Sequence, residues 1–171
     1  MKTLYGSILL LLLSSCGNMT KNENPLIIDF NNRFDFKGLK LGDISKATDH
    51  VLSEADNIKN EIIAIADNQR SFENTLLRID DLHWVIESIW SPGYLMGSVH
   101  TDGKIRDEGI ASSKKIQNYI TELSLNEDLY QAVLVYSKSK PAKKLTGYRK
   151  KFLNDVMLDY KRSGFSLTAE E

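Results

Sequence analysis

Apolar residues recur at helical spacing along most of the chain after Pro25. The clearest stripe lies between Asp43 and Asp67, where steps of three and four residues keep every apolar member on one helix face. Its members are Ile44, Ala47, Val51, Ala55, Ile58, Ile62 and Ile65. Asp43 or Ser45 could cap the start. The pattern therefore predicts one long amphipathic helix over residues 43–67.

A second helix is predicted from the N-cap Ser71 to about Trp90. Its main apolar stripe is Phe72, Thr75, Ile79, Leu82, Ile86 and Ile89. Leu77 and Trp84 lie seven residues apart on nearly the opposite face, so this helix is apolar on two sides. Such a helix usually lies between neighbours, and its second face is expected to receive a partner segment. Pro92 is expected to end the helix or kink it sharply.

Three further helices are predicted over residues 107–123, 127–137 and 145–162, the middle one capped by Asn126. Their inward residues are expected to be Ile110, Ser113, Ile116, Ile120 and Leu123, then Leu129, Ala132, Val133 and Tyr136, then Tyr148, Phe152, Val156 and Tyr160. Thr168 and Glu171 fit a capping box for a following helix. The sequence thus predicts an all-α fold of about five antiparallel amphipathic helices.

The first residues have the pattern of an export signal. Lys2 precedes the apolar run Ile8–Leu13, which is too short to span a bilayer, and two serines follow. The segment Leu13-Ser14-Ser15-Cys16 resembles a bacterial lipobox, which implies lipid attachment at Cys16 after removal of residues 1–15. An ordinary secretory signal with an incidental cysteine, or a small buried cysteine, is the alternative.

The domain organisation and location follow from that signal. Residues 16–25 are polar and predict a lipidated tether, and residues 26–171 form the helical domain. The expected location is the bacterial cell envelope, lipid-anchored after export from the cytoplasm. Because Gly17 stands where some bacteria place an inner-membrane retention Asp, the outer membrane is favoured over the inner one.

Charge and cysteine content exclude some classes of protein. Without residues 1–15 the chain has 21 Lys and Arg (22 less Lys2) against 23 Asp and Glu, a net charge of −2. That balance argues against a nucleic-acid partner. No second cysteine exists to form an intramolecular disulfide. The basic run from Lys138 to Lys151 could face anionic lipid headgroups, although acidic residues flank it and a solvated surface is the plainer interpretation.

No catalytic or metal-ligating residue is assigned from the motifs. His50, His83 and His100 share no ligand spacing, and the chain contains neither His-Glu-x-x-His nor a phosphate-binding Gly-rich loop. His83, at the edge of the second helix's stripe, is expected to be a hydrogen-bonded packing residue. Asp80 and Asp81 point about 100° apart on a helix, so they are treated as surface charge.

Three segments carry a family resemblance. They are Ser71-Phe72-Glu73-Asn74-Thr75-Leu76, Leu125-Asn126-Glu127-Asp128-Leu129-Tyr130 and Arg162-Ser163-Gly164-Phe165-Ser166-Leu167. In order and spacing they resemble segments of thimet oligopeptidase, neurolysin, oligopeptidase A and the peptidyl-dipeptidases. The stretch from Ile105 to Leu123 is closer to the thimet–neurolysin branch. The resemblance covers roughly Pro25 to Glu171.

That family consists of zinc metallopeptidases that hydrolyse short peptides, and its zinc-binding His-Glu-x-x-His helix lies in the C-terminal part. The resemblance implies that this chain corresponds to the N-terminal helical part, with the catalytic segment missing and the chain inactive alone. It implies no cofactor in this chain, zinc in the full-length family, and short peptides as its substrates. A non-enzymatic small helical lipoprotein that binds peptides or a protein partner is the alternative.

Overall fold

The computed structural model describes residues 24–28 and 33–165, and within these ranges the regular structure is entirely helical. Six α-helices follow one another: α1 Asp43–Ala64, α2 Leu77–Val99, α3 Gly103–Ser124, α4 Glu127–Lys138, α5 Lys140–Lys143 and α6 Gly147–Tyr160. A 3-10 turn at Asp67–Gln69 and π-helical turns at Phe72–Leu76 and Lys161–Phe165 complete the regular structure of this part. The all-α prediction is confirmed. None of the described helices has both the length and the apolarity needed to cross a membrane.

Helices α1, α2 and α3 form a bundle in which α2 runs antiparallel to both others. Arg78 near the start of α2 pairs with Glu61 near the end of α1, which fixes the first direction. Gly97 near the end of α2 faces Gly109 near the start of α3, which fixes the second. Their shared core contains the fully buried side chains Ile44, Ile62, Leu82, Ile86, Ile89 and Ile116. Burial of such apolar area is the main stabilising contribution to a bundle of this kind.

The start of α1 is capped from another helix, and not by the side chains that the sequence indicated. The N-cap is Gly42 at φ 97°, and it makes no side-chain cap hydrogen bond of its own. The Glu108 carboxylate of α3 accepts hydrogen bonds from the backbone N–H groups of Gly42 (2.9 Å) and Ser45 (2.7 Å) instead. The predicted cap at Asp43 or Ser45 is therefore wrong, because a carboxylate distant in sequence occupies that position.

The end of α1 is held by a buried arginine. The helix stops at Ala64, three residues before the predicted end, and Ile65 is extended. The Arg70 guanidinium donates to the backbone carbonyl oxygens of Ile62 (2.9 Å) and Ile63 (3.4 Å). These are carbonyls of the last turn, which have no partner inside a helix, so Arg70 satisfies them and turns the chain back.

Helix α2 continues past Pro92 to Val99, so the predicted end near Trp90 is wrong. Proline removes one backbone donor and usually breaks a helix. Here Ile89 and Met96, on either side of the proline, are both buried, and Pro92 is itself buried. Packing on both sides of the proline outweighs the loss of one helical hydrogen bond.

Helix α3 packs through small residues, which shifts its buried face from the predicted one. It begins at Gly103 with Asp102 as N-cap, four residues earlier than predicted. Its buried residues are Ile105, Gly109, Ser112, Ile116 and Leu123. Ile110 was predicted to face inward but is 61% exposed, because Gly109 occupies the contact with α2.

Helices α4 and α6 pack against the turn that precedes α2. Asn126 caps α4 as predicted, its side-chain oxygen accepting from the Leu129 N–H at 2.8 Å. Helix α6 begins at Gly147, two residues after the predicted start, and ends at Tyr160, two before the predicted end. Phe152 packs edge-on against Phe72 at 6.3 Å between ring centroids. Tyr148, predicted to be inward, is 76% exposed because the first turn of α6 extends beyond the core.

Candidate functional site

The π-helical turn Phe72–Leu76, which leads directly into α2, begins with a capping box within the segment that carries the first family resemblance. The Ser71 hydroxyl accepts from the Asn74 N–H at 3.1 Å, and the Asn74 side chain accepts from the Ser71 N–H at 2.7 Å. The predicted N-cap at Ser71 is confirmed. Thr75 and Leu76 in the same turn are fully buried, so the turn is anchored on both its polar and apolar sides.

An exposed apolar face runs along the outside of α2. Leu77, Trp84, Leu95 and Val99 are 43%, 58%, 44% and 60% exposed. At about 100° per residue these four positions fall within an arc of about 60°, opposite the face that packs in the bundle. We call this set the outer stripe. The sequence identified Leu77 and Trp84 as a second apolar face, and their exposure in the structure agrees with it.

Leu95 and Val99 were missed because Pro92 was expected to end the helix. They lie eleven and fifteen residues after Trp84, so a helix that continued through the proline would have shown them on the same face. The missed signal was the helical spacing of apolar residues on both sides of Pro92. The outer stripe therefore extends over almost the full length of α2 and not over its first half alone.

A groove of about 420 Å³ lies beside the C-terminal end of α6. We call it the aromatic groove; it is lined by Tyr130, Asn154, Met157, Leu158, Lys161 and Phe165. Gly164 at φ 104° turns the chain so that the Phe165 ring returns to stack on Tyr130, with centroids 4.4 Å apart. Tyr160 meets Phe165 edge-on at 5.6 Å, and its burial raises the pKa of its hydroxyl.

Sequence reasoning assigned no groove here. Phe165 was not assigned to the core. The third resemblance segment begins at Arg162, so the groove borders that motif. Among the described residues that line the groove, Lys161 is the only charged one, and it places a cation at the rim of an otherwise mostly apolar surface. Such a surface suits an apolar side chain with a nearby anionic group.

The histidines do not converge in the structure. His50 is exposed on α1, and His100 follows α2, where its ring Nδ1 accepts from the Asp102 N–H at 3.0 Å. His83 is exposed on α2 and makes no hydrogen bond to any described residue. The prediction that it is a hydrogen-bonded packing residue is therefore wrong. Although His83 is exposed, neighbouring protein displaces part of the water around its ring and lowers its pKa, against the opposing effect of Asp80, Asp159 and Glu87.

The acidic residues are likewise dispersed into structural contacts. Asp81 accepts from Arg78 at 2.8 Å while Asp80 is exposed, so the adjacent pair does not act together. Among residues 24–28 and 33–165, no group of three or more His, Cys, Asp or Glu side chains is placed to hold a metal ion. Cys16, the predicted lipidation site, and the predicted capping box of Thr168 and Glu171 lie outside the described residues.

Comparison with known proteins relates the chain to a peptidase of greater length. No family model matches the chain. A Thimet-like oligopeptidase of Dictyostelium discoideum is 26% identical to it over 129 residues, which is 74% of this chain and 19% of the relative. The chain is similar to a peptidase. It spans about a fifth of the length of that relative, and the similarity agrees with the family resemblance of the three sequence segments.

Proposed function

We propose that this chain is the N-terminal helical part of a lipid-anchored zinc oligopeptidase that hydrolyses short peptides outside the cytoplasm. The observation that carries the proposal is the 129-residue similarity to a Thimet-like oligopeptidase. The all-α architecture agrees with it, since the resemblance implies a helical N-terminal part. The proposal assigns the helical domain a structural role, and the chemistry to a further catalytic segment of the same protein.

Zinc is implied by the resemblance, and the described side chains do not fit it. Zinc sites in proteins need three or four converging nitrogen, sulfur or oxygen ligands. His50, His83 and His100 lie on separate parts of the fold, and no group of three acidic, histidine or cysteine side chains converges among residues 24–28 and 33–165. The proposal therefore derives no catalytic step from these residues.

The outer stripe supports an architectural role for α2. Four large apolar side chains in one arc are a feature that marks interaction surfaces on soluble domains. In the proposed protein the catalytic segment would cover this face. The long α2, preceded by the turn that the Ser71 capping box begins and packed against α3 near its other end, would act as a rigid wall of the proposed protein.

The test has a native and a recombinant part. An antibody against the helical domain, applied to envelopes of the source cells, should detect a polypeptide several times larger than 19.4 kDa. The immunoprecipitate should cleave a quenched fluorescent peptide of about ten residues, and a chelator should abolish the cleavage. The recombinant 171-residue chain should bind no stoichiometric zinc and cleave nothing. Stoichiometric zinc with chelator-sensitive hydrolysis by that chain would refute the assignment of roles.

A second candidate is a small helical lipoprotein that binds peptides without cleaving them. The aromatic groove favours it, because a mostly apolar surface with Lys161 at its rim could receive an apolar residue beside a peptide carboxylate. In that case the native protein would be short, would melt cooperatively without binding a hydrophobic dye, and would bind peptides without hydrolysis. Detection of only a species near 19 kDa would favour this candidate over the peptidase.

A further inference from the structure

The segment from the end of α4 to the first turns of α6 is a local concentration of positive charge along the chain. From Leu129 to Asn154 the chain contains seven Lys and Arg residues and no Asp or Glu. Two of the seven are neutralised: Arg149 pairs with Glu73 at 2.8 Å and Lys151 with Asp155 at 2.6 Å. The other five make no ion pair with any described residue. We call them the lysine corner: Lys138, Lys140, Lys143, Lys144 and Lys150.

The short helix α5 fixes three of these lysines on one face. Lys140, Lys143 and Lys144 follow the spacing that aligns side chains on a helix, and all three are exposed. Ala142, on the opposite side, is completely buried and anchors the turn to the core. The Ser139 hydroxyl accepts from the Ala142 N–H at 3.2 Å and caps the turn. The lysines are therefore displayed on the surface by a short helix that is capped by a hydrogen bond and packed against the core.

An exposed aromatic ring accompanies the charges. Tyr148, in the first turn of α6, is 76% exposed and lies between the lysines of α5 and Lys150 in sequence. Its hydroxyl accepts a hydrogen bond from Arg149 at 3.3 Å. A tyrosine with an apolar ring and a polar tip is the side chain that favours the headgroup region of a bilayer.

The geometry points to the lysine corner as a docking surface for an anionic membrane, with Tyr148 entering the headgroup layer. Lysines near an anionic leaflet are attracted by its surface potential, and several act together. The inference does not depend on the peptidase proposal. If Cys16 carries a lipid, the corner would orient a domain that is already tethered; if it does not, the corner would still recruit the chain to anionic lipid.

Nucleic acid is the less suitable partner for this corner. Phosphate-backbone and base recognition relies heavily on arginine, whose planar fork binds phosphate with two hydrogen bonds. The single arginine here is occupied: its guanidinium pairs with Glu73 and lies 4.6 Å from the centre of the Phe72 ring. The remaining groups are lysines, which attract anionic surfaces as point charges, and the chain as a whole is slightly acidic.

The experiment measures co-sedimentation of the recombinant 171-residue chain, made without lipidation, with two kinds of vesicle. One kind is phosphatidylcholine alone and the other contains about a third phosphatidylglycerol. For each variant, the partition coefficient into anionic vesicles is divided by the partition coefficient into phosphatidylcholine vesicles. This ratio removes the contribution of the apolar run Ile8–Leu13, which is common to every variant. The wild-type chain should prefer anionic vesicles, and the preference should fall steeply between low and high salt.

The test variant replaces Lys138, Lys140, Lys143 and Lys144 by Gln, which keeps helix propensity nearly unchanged. The charge-matched control replaces four other exposed lysines that make no ion pair with a described residue, namely Lys37, Lys46, Lys104 and Lys114. Each lysine near an anionic surface contributes about fivefold, so four contribute up to about 600-fold, and the test variant should lose at least about thirtyfold of its preference. The control should lose less than about threefold. Tyr148→Ser should weaken binding to a smaller extent than the test variant.

Three results would overturn the inference. The first is equal binding of the wild-type chain to both kinds of vesicle. The second is equal loss in the test and control variants, which would attribute binding to overall charge and not to the corner. The third is tight, salt-sensitive binding to a single-stranded oligonucleotide with none to anionic vesicles. Circular dichroism of each variant checks that the helices are retained.

Discussion

Gly97 of α2 and Gly109 of α3 lie so close together that a Cβ atom on Gly109 would be 2.6 Å from the backbone nitrogen of Gly97. The same atom would be 2.7 Å from the Gly93 carbonyl oxygen. Both neighbours are backbone atoms, so no side-chain rotation could relieve the contact. The closest approach of two main helices therefore depends on the absence of a side chain at position 109.

Gly109→Ala should destabilise the fold by about 3 kcal/mol, the upper part of the range for overpacked interiors. Urea unfolding followed by circular dichroism measures this free energy. Gly103→Ala is the matched control, since the nearest atom to its added Cβ is the end of the Arg106 side chain at 3.5 Å. That substitution should be neutral or stabilise by up to about 1 kcal/mol. Equal urea midpoints for Gly109→Ala and Gly103→Ala would contradict the close contact between α2 and α3 at Gly109.

Glu108→Ala should cost about 1–2 kcal/mol, because two N–H groups at the start of α1 lose the carboxylate that accepts from them. Glu108→Gln should recover only part of the loss, because one side of its amide is a donor. Asp107→Ala removes a neighbouring exposed carboxylate and should change the unfolding free energy by less than about 0.5 kcal/mol. If Asp107→Ala lowered the unfolding free energy as much as Glu108→Ala does, the effect of Glu108→Ala would come from the lost negative charge alone.

Tyr119 should contribute to the loss of stability at alkaline pH. Its burial, together with the Asp56 carboxylate that accepts its hydroxyl hydrogen bond at 3.1 Å, raises its pKa in the folded chain. The unfolded chain then releases the Tyr119 proton at lower pH than the folded chain does, near pH 10. The contribution of Tyr119 to the free energy of unfolding is therefore fully present below about pH 10 and is lost as the pH rises further.

Tyr119→Phe cannot ionise, so the fall in its unfolding free energy above pH 10 should be shallower than in the wild type. Urea titrations at pH 8, 10 and 11 give the two slopes. Tyr160, whose pKa is also raised by burial, should leave a residual slope in the variant. Parallel slopes for wild type and variant would show that Tyr119 ionises equally in both states.

Trp84→Ser should leave the unfolding free energy within about 0.5–1 kcal/mol of the wild type, because the ring is 58% exposed. It should also reduce binding of a hydrophobic dye and any concentration-dependent self-association, since it removes the largest side chain of the outer stripe. Ile86→Val, on the opposite and buried face, should instead cost about 1 kcal/mol. Destabilisation by several kcal/mol in Trp84→Ser would show that this face is covered in solution.

The five longer helices were predictable because each carries enough large apolar residues to reveal its period, whereas the four-residue α5 carries none and was not predicted. The stripe of α1 from Ile44 to Ile62 and the capping residues Ser71 and Asn126 are local signals and were confirmed, whereas Ile65 lies beyond the end of the helix. Prediction failed where packing between helices decides the outcome. The path of α2 through Pro92 and the burial of Gly109 in place of Ile110 both depend on what lies opposite, which a local pattern does not contain.

The candidate surfaces were partly predictable for the same reason. Leu77 and Trp84 were recognised as apolar residues on the helix face opposite the main apolar stripe. The basic run was recognised as a local excess of positive charge. The aromatic groove was not predictable, because it forms only when the turn at Gly164 stacks Phe165 on Tyr130, which lies more than thirty positions earlier in the chain. Nor could the sequence show which five lysines of the basic run have no acidic partner among the described residues.

The Glu108 cap has a consequence for the order in which the protein assembles. It joins residues 66 positions apart, so the first turn of α1 cannot be completed by local interactions. That turn must wait until α3 has docked, and closing so large a loop is slow compared with forming a single helix. The start of α1 and the start of α3 should then open as one unit in the native protein. Backbone amides of Gly42 and Ser45 should exchange with solvent deuterium at the rate at which α3 detaches.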